Sequence, residues 1–421
     1  MREAEKMDFS KLYIGGQWVD SASGQWIDVV NPATRQVFAQ VPAGNAVDVD
    51  RAAKAAAAAF PAWAATPLAE RKALMERFLT LFRAQEEELI DITVRELGAP
   101  WSFAKTSQVE YQYTRTRSYI DLADQVPLVE HMAASTTYRE PVGVVGCVTP
   151  WNYPLGQVIQ KVVPALLMGN TIVLKPSQHT PLSAYWLADA FAGAGFPAGT
   201  FNLVTGRGGE VGNALSGHPL VDMISFTGAT AGGITVSQRA LAQVKRVSLE
   251  LGGKSPYVLL PGCGDYAVPI HLCCNSIFLN SGQTCTAFSR FLVPRAEQAA
   301  VEAKLVEIAR EYPVGDPTDH TVKLGPVASA AQFAKVRDCI RKGLDEGARL
   351  LTGGVPDDGA GWYVQPTIFT DVDNETMEIA RREIFGPVLC VIPYDTVDDA
   401  VRIANCLLYT SDAADDLTRV D

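Results

Sequence analysis

The chain has 421 residues, 48% hydrophobic and 20% charged, a composition typical of a globular protein with two or three domains. Its net charge of −11 and pI of about 5.1 argue against nucleic acid and anionic membranes as partners. The N-terminus lacks an apolar secretory segment. The long uncharged stretches contain proline, asparagine and glutamine, which are unfavourable in membrane spans.

Cysteine and histidine usage gives no sign of a metal site. The eight cysteines have no zinc-site spacing and the five histidines are scattered, so we expect no metal. A disulfide framework is not expected in a chain of this size, and the predicted compartment is the reducing cytoplasm.

The first third of the chain predicts short strands followed by helices. Alternating apolar and polar residues in Lys11–Val30 indicate strands or a hairpin. Helices are then predicted from an Asn45 N-cap to Phe60, from a Thr66 N-cap with Pro67 first to about Arg83, over Glu86–Leu97 up to Gly98, and over Phe103–Asp124.

From Val142 onward, short β-branched runs alternate with helical segments, which predicts a parallel, doubly wound α/β sheet. The predicted strands are Val142–Val148, Thr171–Lys175, Thr200–Val204, Met223–Phe226, Arg246–Leu249 and Tyr257–Leu260. The intervening helices begin near Leu155, Pro181, Gly208 and Ala229. A second α/β set has helices at Asp265–Asn280, Ala296–Arg310 and Ser329–Glu346, and strands at Phe288–Val293, Leu350, Tyr363–Phe369 and Val388–Tyr394.

The C-terminus departs from these patterns. A helix is predicted from Val397 to Asn405, but Cys406–Asp421 has no apolar periodicity and resembles a translated sequencing adapter. We expect residues 406–421 to be a non-native tail and the natural enzyme to be longer. The alternative is a genuine acidic tail.

Cys285 is the cysteine best suited to act as a nucleophile. It follows Ser281-Gly282, a tight turn after the predicted helix that ends at Asn280. A thiolate on such a loop can attack a carbonyl carbon and later leave from a thioester. The alternative is one more buried cysteine.

Two further polar residues follow predicted strands. Glu250 closes a strand before Gly252-Gly253, and the carboxyl ends of parallel strands are where α/β proteins bind ligands. Asn152 lies in a turn with two prolines and a tryptophan, where a fixed amide N–H could stabilise an oxyanion. The alternatives are a surface glutamate and a structural turn asparagine.

Two glycine-rich segments, Phe226–Gly233 and Gly206–Gly212, also follow strands. Such turns expose backbone N–H groups to phosphate, although they are frequent in other proteins too. Lys175 ends another strand, where it could contact a ribose or a phosphate.

Together these motifs resemble the NAD(P)-dependent aldehyde dehydrogenase superfamily. In chain order they are TPWNYP, LKPS, FTGATAGG, ELGGKSP, NSGQTC and EIFGPV, and the resemblance extends from near Tyr13 to Asn405. It implies a doubly wound, Rossmann-type cofactor domain, a second α/β catalytic domain and oxidation of an aldehyde to a carboxylic acid.

The resemblance also implies the residue roles. Cys285 would form a thiohemiacetal whose oxyanion is held by Asn152 and the Cys285 backbone N–H, and Glu250 would activate the water that hydrolyses the later thioester. Lys175 would bind the adenosine ribose, the Gly228–Gly233 turn the pyrophosphate, and Glu383 the nicotinamide ribose. The implied cofactor-binding residues are Thr149, Pro150, Trp151, Lys175, Ser177, Gln178, Gly208, Gly212, Phe226, Thr227, Gly228, Ala229, Gly233, Leu251, Glu383 and Phe385.

The sequence departs from the family pattern in three respects. Gln178 stands where the family often has glutamate; it can still hydrogen-bond but carries no charge to repel a 2′-phosphate, so NADP use stays open, although NAD is favoured. Ala229 replaces a frequent serine, which is expected to weaken cofactor binding slightly. The family's C-terminal portion, which completes the catalytic sheet and supplies an intersubunit strand, is missing.

The implied organisation is a cofactor domain over 1–126 and 142–250, an oligomerisation hairpin at 127–141, and an incomplete catalytic domain over 251–405. The parent enzyme would be a cytoplasmic homodimer or homotetramer with a small aldehyde as substrate. Two alternatives remain: a CoA-acylating enzyme, against which Glu250 argues, and an inactive truncated fragment.

Overall fold

The computed structural model describes residues 7–407 and divides the chain into two compact units. The first contains the N-terminal segment to Val30, Val37–Glu96 and Ala104–Leu249. The second contains Asn31–Gln36, Leu97–Phe103 and the chain from Glu250 onward. Most of the predicted tail, from residue 408, lies outside the described residues.

A seven-stranded sheet forms the core of the first unit, with the order β11-β10-β7-β8-β9-β1-β2. Strands β10, β7, β8 and β9 are parallel, and β1 joins β9 in the antiparallel sense. The strands of this sheet are β1 (Leu12–Ile14), β2 (Gln17–Val19), β7 (Val144–Val148), β8 (Thr171–Lys175), β9 (Phe201–Leu203), β10 (Met223–Thr227) and β11 (Arg246–Glu250). β7 and β8 are buried throughout, as expected for apolar strands in the middle of a parallel sheet.

The helices of the first unit follow the predicted order. They are α1 (Ala46–Ala65), α2 (Leu68–Ala84), α3 (Glu86–Leu97), a π-helical segment (Ala104–Glu110), α5 (Tyr111–Leu122), α6 (Pro154–Leu167), α7 (Leu182–Ala194), α8 (Asn213–Ser216) and α9 (Thr230–Leu241). Asn45 caps α1 as predicted, and Asp48 completes a reciprocal capping box. Gly98, with φ of +78°, follows the last residue of α3.

Two small hairpins complete the N-terminal half. β3 (Trp26–Asn31) pairs with β4 (Gln36–Pro42), and β5 (Val129–His131) pairs with β6 (Thr136–Tyr138). The second hairpin occupies the segment predicted for oligomerisation. It exposes Val129, Met132 and Tyr138 by 47%, 62% and 68%.

The second unit is built on a five-stranded sheet with the order β12-β13-β16-β15-β14. All its pairings are parallel except that of the edge strand β14. The strands are β12 (Ser255–Val258), β13 (Phe288–Pro294), β14 (Arg349–Thr352), β15 (Thr367–Thr370) and β16 (Val388–Tyr394). The helices are α4 (Trp101–Phe103), α10 (Ala267–Phe278), α11 (Gln298–Ala309), α12 (Ala330–Asp345) and α13 (Val397–Ala404), and two apolar clusters are packed against the sheet.

The predicted α/β class is confirmed, whereas several predicted element boundaries were wrong. Thr66 does not cap α2, because its hydroxyl donates instead to the carbonyl of Ala62 in the preceding helix at 2.9 Å. The helix predicted over Phe103–Asp124 is interrupted by the π-helical segment. The strand predicted at Tyr257–Leu260 begins two residues earlier, at Ser255. Only the end of Tyr363–Phe369 is a strand, as part of β15.

Within residues 7–407, no helix combines the length and apolar character needed to cross a bilayer.

A buried carboxyl group with an unusual pKa lies against the start of α7. Glu96, at the end of α3, is fully buried, and its Oε2 accepts the backbone N–H of Leu182 at 2.9 Å. Its Oε1 has no hydrogen-bond partner. Burial raises the pKa of Glu96 from 4.5 to about 8. Between these two pH values the folded protein therefore keeps a proton on Glu96 that the unfolded chain has lost.

We therefore expect Glu96 to make the protein less stable as the pH rises from about 5 to about 8. A pKa raised from 4.5 to about 8 limits the resulting loss in the free energy of unfolding to at most about 5 kcal/mol. In Glu96→Gln this contribution should vanish, because glutamine still accepts the Leu182 N–H without ionising. Urea unfolding of both proteins across this pH range measures the difference, with the exposed Glu87→Gln as control. Parallel stability curves for the parent and Glu96→Gln would contradict the prediction.

Candidate active site

The carboxyl ends of three adjacent strands in the first unit form a polar edge. Thr149 follows β7, Lys175 ends β8 and Thr227 ends β10, and the register pairs Val148 with both Lys175 and Phe226. The chain passes from β7 through β8 to β9 on one side, and β10 then lies on the other side of β7. Such a switch of direction opens the crevice in which doubly wound proteins bind ligands.

The side chains at this edge are suited to a polar ligand. The hydroxyls of Thr149 and Thr227 are buried and have no hydrogen-bond partner. Lys175 is 4% exposed, its Nζ donates to the Pro176 carbonyl at 2.7 Å, and burial lowers its pKa to about 8. A ligand with hydroxyl or phosphate oxygens would satisfy these groups and favour the charged lysine.

The two glycine-rich segments flank the same edge. A Cβ on Gly228 or Gly232 would lie 2.7 or 2.9 Å from the ring of Phe226, so this ring excludes side chains from the turn. Ala229, the N-cap of α9, forms no side-chain cap, and Gly233 is buried in the first turn of the helix. A Cβ on Gly212 would lie 3.9 Å from Cδ of Lys175, which places the second glycine-rich segment beside the lysine.

The turn that contains Asn152 is held by two hydrogen bonds from distant side chains. The Thr180 hydroxyl donates to the Trp151 carbonyl at 3.1 Å, and Nε2 of Gln108 donates to the Asn152 carbonyl at 3.0 Å. Asn152 itself is 3% exposed. The backbone of Asn152 is therefore held on both sides.

In the second unit, three motifs meet at one edge of the sheet. β12, β13 and β16 are adjacent and parallel, and Glu250, Cys285 and Glu383 each lie shortly before one of them. Because the amino ends of parallel strands lie on the same side of a sheet, the segments that contain these residues converge. Gly253, Thr284, Glu383 and Phe385 line a common pocket there.

Two glycines bring these segments into contact. A Cβ on Gly252 would lie 2.2 Å from Oε2 of Glu383, and the Gly253 N–H donates to Oε1 of the same carboxylate at 3.3 Å. A Cβ on Gly282 would lie 2.1 Å from the backbone carbonyl of Gly386. The turn after Glu250 and the turn before Cys285 therefore both pack against the segment that contains Glu383.

The turn before Cys285 has an unusual backbone. α10 ends at Phe278, and Asn280, Ser281 and Gly282 then adopt positive φ values of 53°, 53° and 73°, which ends the helix two residues before the predicted boundary. Gln283 is buried; its Nε2 donates to the Asn280 carbonyl at 2.9 Å, and its Oε1 accepts the Ala328 N–H at 2.8 Å. These bonds hold the loop as a rigid support for the thiol that follows.

The exposure of Cys285 distinguishes it from most other cysteines. Cys285 is partly exposed, whereas Cys147, Cys273, Cys274 and Cys390 are buried. Burial raises the pKa of Cys147 and of Cys274 to about 12, which suppresses their thiolate forms. Accessibility therefore favours Cys285 over these four thiols as a candidate nucleophile.

The predicted site residues are divided between the two units. Asn152 and the cofactor-binding candidates up to Gly233 belong to the first, where Ser177 accepts the His179 N–H at 3.2 Å beside Gln178. The division between the units falls just before Glu250, the last residue of β11, so Glu250, the buried Leu251, Cys285, Glu383 and Phe385 belong to the second.

Four supporting residues were not predicted to have a role. Gln108, Thr180 and Gln283 have been described, and Nε2 of Gln332 donates to the carbonyls of Ile384 and Phe385 at 3.0 and 2.7 Å. Phe385 has a positive φ of 60°, so these bonds support a strained turn. A sequence signal exists for Gln108, because it shares the buried face of a predicted helix with Gln112, one turn later.

Gly282→Ala is expected to destabilise the protein by about 2–4 kcal/mol, the sum of left-handed backbone strain and a steric contact with Gly386. The matched control is Gly262→Ala, because Gly262 has a similar φ of 76° but nothing within 4 Å of an added Cβ. The control substitution should lower the free energy of unfolding by about 1 kcal/mol, from backbone strain alone. Urea unfolding measures both values, and equal costs would show that the contact with Gly386 is unimportant.

Comparisons with known proteins agree with this architecture. Residues 18–414 match the Aldehyde dehydrogenase family. The chain is 42% identical over 406 residues to a 3-succinoylsemialdehyde-pyridine dehydrogenase of Pseudomonas sp., covering 96% of this chain and 85% of that protein.

Two solved structures are similar over most of the chain. A variant of aldehyde dehydrogenase C from Pseudomonas syringae, in complex with NAD+ and octanal, is 44% identical with a TM-score of 0.93, covering 96% of this chain and 84% of that one. A Mycobacterium tuberculosis aldehyde dehydrogenase in complex with NAD+ is 39% identical with a TM-score of 0.91, covering 95% and 84%.

The fold thus defines a protein with a doubly wound, Rossmann-type unit and a second α/β unit, as the motifs predict. The chain belongs to the aldehyde dehydrogenase family, and it is an oxidoreductase that acts on aldehydes.

Proposed function

We propose that this protein oxidises an aldehyde to a carboxylic acid with NAD+, through a covalent intermediate on Cys285. The observation that carries the proposal is the convergence, in the second unit, of the Cys285 loop, the turn after Glu250 and the Glu383 segment on one pocket edge. A nucleophile, a carboxylate base and a carboxylate suited to a ribose are the groups that the reaction needs.

The covalent step begins at Cys285. Its thiolate attacks the aldehyde carbonyl carbon, a C–S bond forms, and the carbonyl electron pair moves onto oxygen. The side-chain amide of Asn152 and the backbone N–H of Cys285 are assigned to hold this oxyanion. NAD+, when bound, would supply the hydride acceptor; as the tetrahedral carbon loses hydride, the oxyanion electron pair re-forms the C=O bond, which leaves a thioester on Cys285 at the oxidation level of an acid.

Glu250 is assigned to release the acid. Its carboxylate takes a proton from water, the hydroxide adds to the thioester carbon, and the C–S bond breaks as the thiolate leaves. This role favours water over CoA as the acyl acceptor.

The polar edge of the first unit supports binding of a dinucleotide. The unpartnered hydroxyls of Thr149 and Thr227 and the buried Lys175 offer contacts to ribose and phosphate oxygens, and Gly212 lies beside Lys175. NAD is favoured because relatives at about 40% identity are described with NAD+. Gln178 carries no charge that would repel the 2′-phosphate of NADP, so NADP is the second candidate.

The same proposal assigns most of the cofactor contacts to the first unit, and the nucleophile Cys285 and the base Glu250 to the second. The hairpin of β5 and β6 is proposed as a contact between subunits of a dimer or tetramer, which its exposed apolar side chains support. The acidic chain and its cysteine usage support a cytoplasmic enzyme.

The test is a rate measurement with purified protein, a series of aliphatic aldehydes, and either NAD+ or NADP+. Formation of the reduced cofactor is followed by absorbance, and the product is identified by mass spectrometry. We expect NADH and a free carboxylic acid in equal amounts. A protein that bound NAD+ but formed no acid from any aldehyde in the series would overturn the proposal.

A further inference from the structure

Gln108 lies in the π-helical segment Ala104–Glu110 and is fully buried. Its Nε2 donates to the Asn152 carbonyl at 3.0 Å, whereas its Oε1 has no hydrogen-bond partner. A buried amide with one unsatisfied half is unfavourable for folding, so stability alone does not account for a glutamine at this position. π-Helical turns are also frequent at functional sites.

The bond from Gln108 acts together with the bond from Thr180. The Trp151 carbonyl, which Thr180 holds, belongs to the peptide plane before the Asn152 Cα, and the Asn152 carbonyl belongs to the plane after it. Since each peptide unit is planar, holding both planes fixes φ and ψ of Asn152. The direction in which the Asn152 side chain leaves the backbone is then set before any substrate binds.

We propose that Gln108 is a positioning residue that orients Asn152 for oxyanion stabilisation. This inference rests on the proposed role of Asn152. An oxyanion donor is effective when it is oriented in advance, so releasing one of the two flanking peptide planes weakens its bond to the oxyanion without altering the nucleophile.

The test compares Gln108→Met with Gln112→Met. Methionine preserves the length of the side chain but removes the amide. Gln112 is the matched control because it is also buried, but its Nε2 donates to the Ser107 carbonyl and its Oε1 accepts from Arg115. The probe is a short-chain alkyl trifluoromethyl ketone, which adds to a thiolate to give a tetrahedral oxyanion, and its affinity is measured without cofactor.

We expect Gln108→Met to weaken ketone binding and to lower kcat by about 10-fold each, a fraction of the effect of deleting an oxyanion donor. The rate of iodoacetamide alkylation at Cys285 and the KM for NAD+ should be unchanged, because neither depends on the oxyanion. Gln112→Met should leave ketone affinity unchanged. Thr180→Val, which releases the other peptide plane, should weaken ketone binding in the same way and gives a second test if Gln108→Met does not fold.

A double-mutant cycle decides whether Gln108 acts through Asn152. In an Asn152→Ala background, Gln108→Met should have no further effect on ketone affinity. Full additivity, or an effect no larger than that of Gln112→Met, overturns the inference. A parent protein whose ketone binding does not depend on Cys285 would instead contradict the proposed function, so the two failures are distinguishable.

Discussion

Replacing Cys285 with alanine is expected to reduce aldehyde oxidation by at least about 10⁴-fold, because no other group would form the covalent bond to the carbonyl carbon. The substitution removes only a sulfur atom from a partly exposed loop residue. The fold should therefore persist, and NAD+ affinity should be unchanged. Stopped-flow absorbance of NADH measures the rate, and iodoacetamide labelling with peptide mapping should lose the modification at position 285.

The matched control is Cys263→Ala. Cys263 is exposed, so it should be alkylated in the parent protein, but it lies on a surface loop outside the proposed site. We expect parental turnover in this variant. If Cys285→Ala retained activity while Cys263→Ala lost it, the nucleophile would have been assigned to the wrong thiol.

Glu250→Gln is expected to separate the two halves of the reaction. Attack by Cys285 and formation of NADH do not require the Glu250 carboxylate, so the first turnover should release about one NADH per active site. Hydrolysis then lacks its base, and the steady-state rate should fall by about 10²–10⁴-fold. Rapid mixing should show a burst followed by a slow phase, and mass spectrometry of the quenched protein should detect an acyl group on Cys285.

Glu383→Gln provides the contrast for this experiment. Its carboxylate accepts the Gly253 N–H at the pocket that Thr284 also lines, but the ligand group that it is proposed to bind is the nicotinamide ribose. Its loss should slow NADH formation in the first turnover and give no burst. Steady turnover of Glu250→Gln near the parental rate would refute Glu250 as the base. Acyl-CoA formation by the parent in the presence of CoA would support the acylating alternative.

The sequence was sufficient to predict elements whose patterns are local. β8 and β16 were predicted to the residue, because runs of apolar and β-branched side chains mark buried parallel strands. The Asn45 cap and the Gly98 helix end were also correct, since capping depends on residues within a few positions of one another. The motif order was sufficient to predict the family.

Predictions failed where a distant contact competes with the local pattern. Asn280 continues the helical periodicity of α10, yet it adopts φ of 53° in a turn that Gln283 and Gly282 support through the Ala328 and Gly386 segments. The π-helical register around Gln108 likewise follows no local rule that distinguishes it from an ordinary helix. Contacts of this kind depend on packing between segments far apart in the chain.

The sequence by itself determined the α/β class and the family, and it singled out Cys285, Glu250 and Asn152 as candidate catalytic residues, because motifs depend on residue types in a fixed order. Only the tertiary structure showed that the segments before β12, β13 and β16 lie at one edge of the sheet. The order of strands in a sheet cannot be predicted from the sequence of any one strand. It alone also revealed the bonds from Gln108 and Thr180 that fix the backbone of Asn152. Hydrogen bonds between distant side chains and backbone require coordinates, because they arise only when packing brings those segments together.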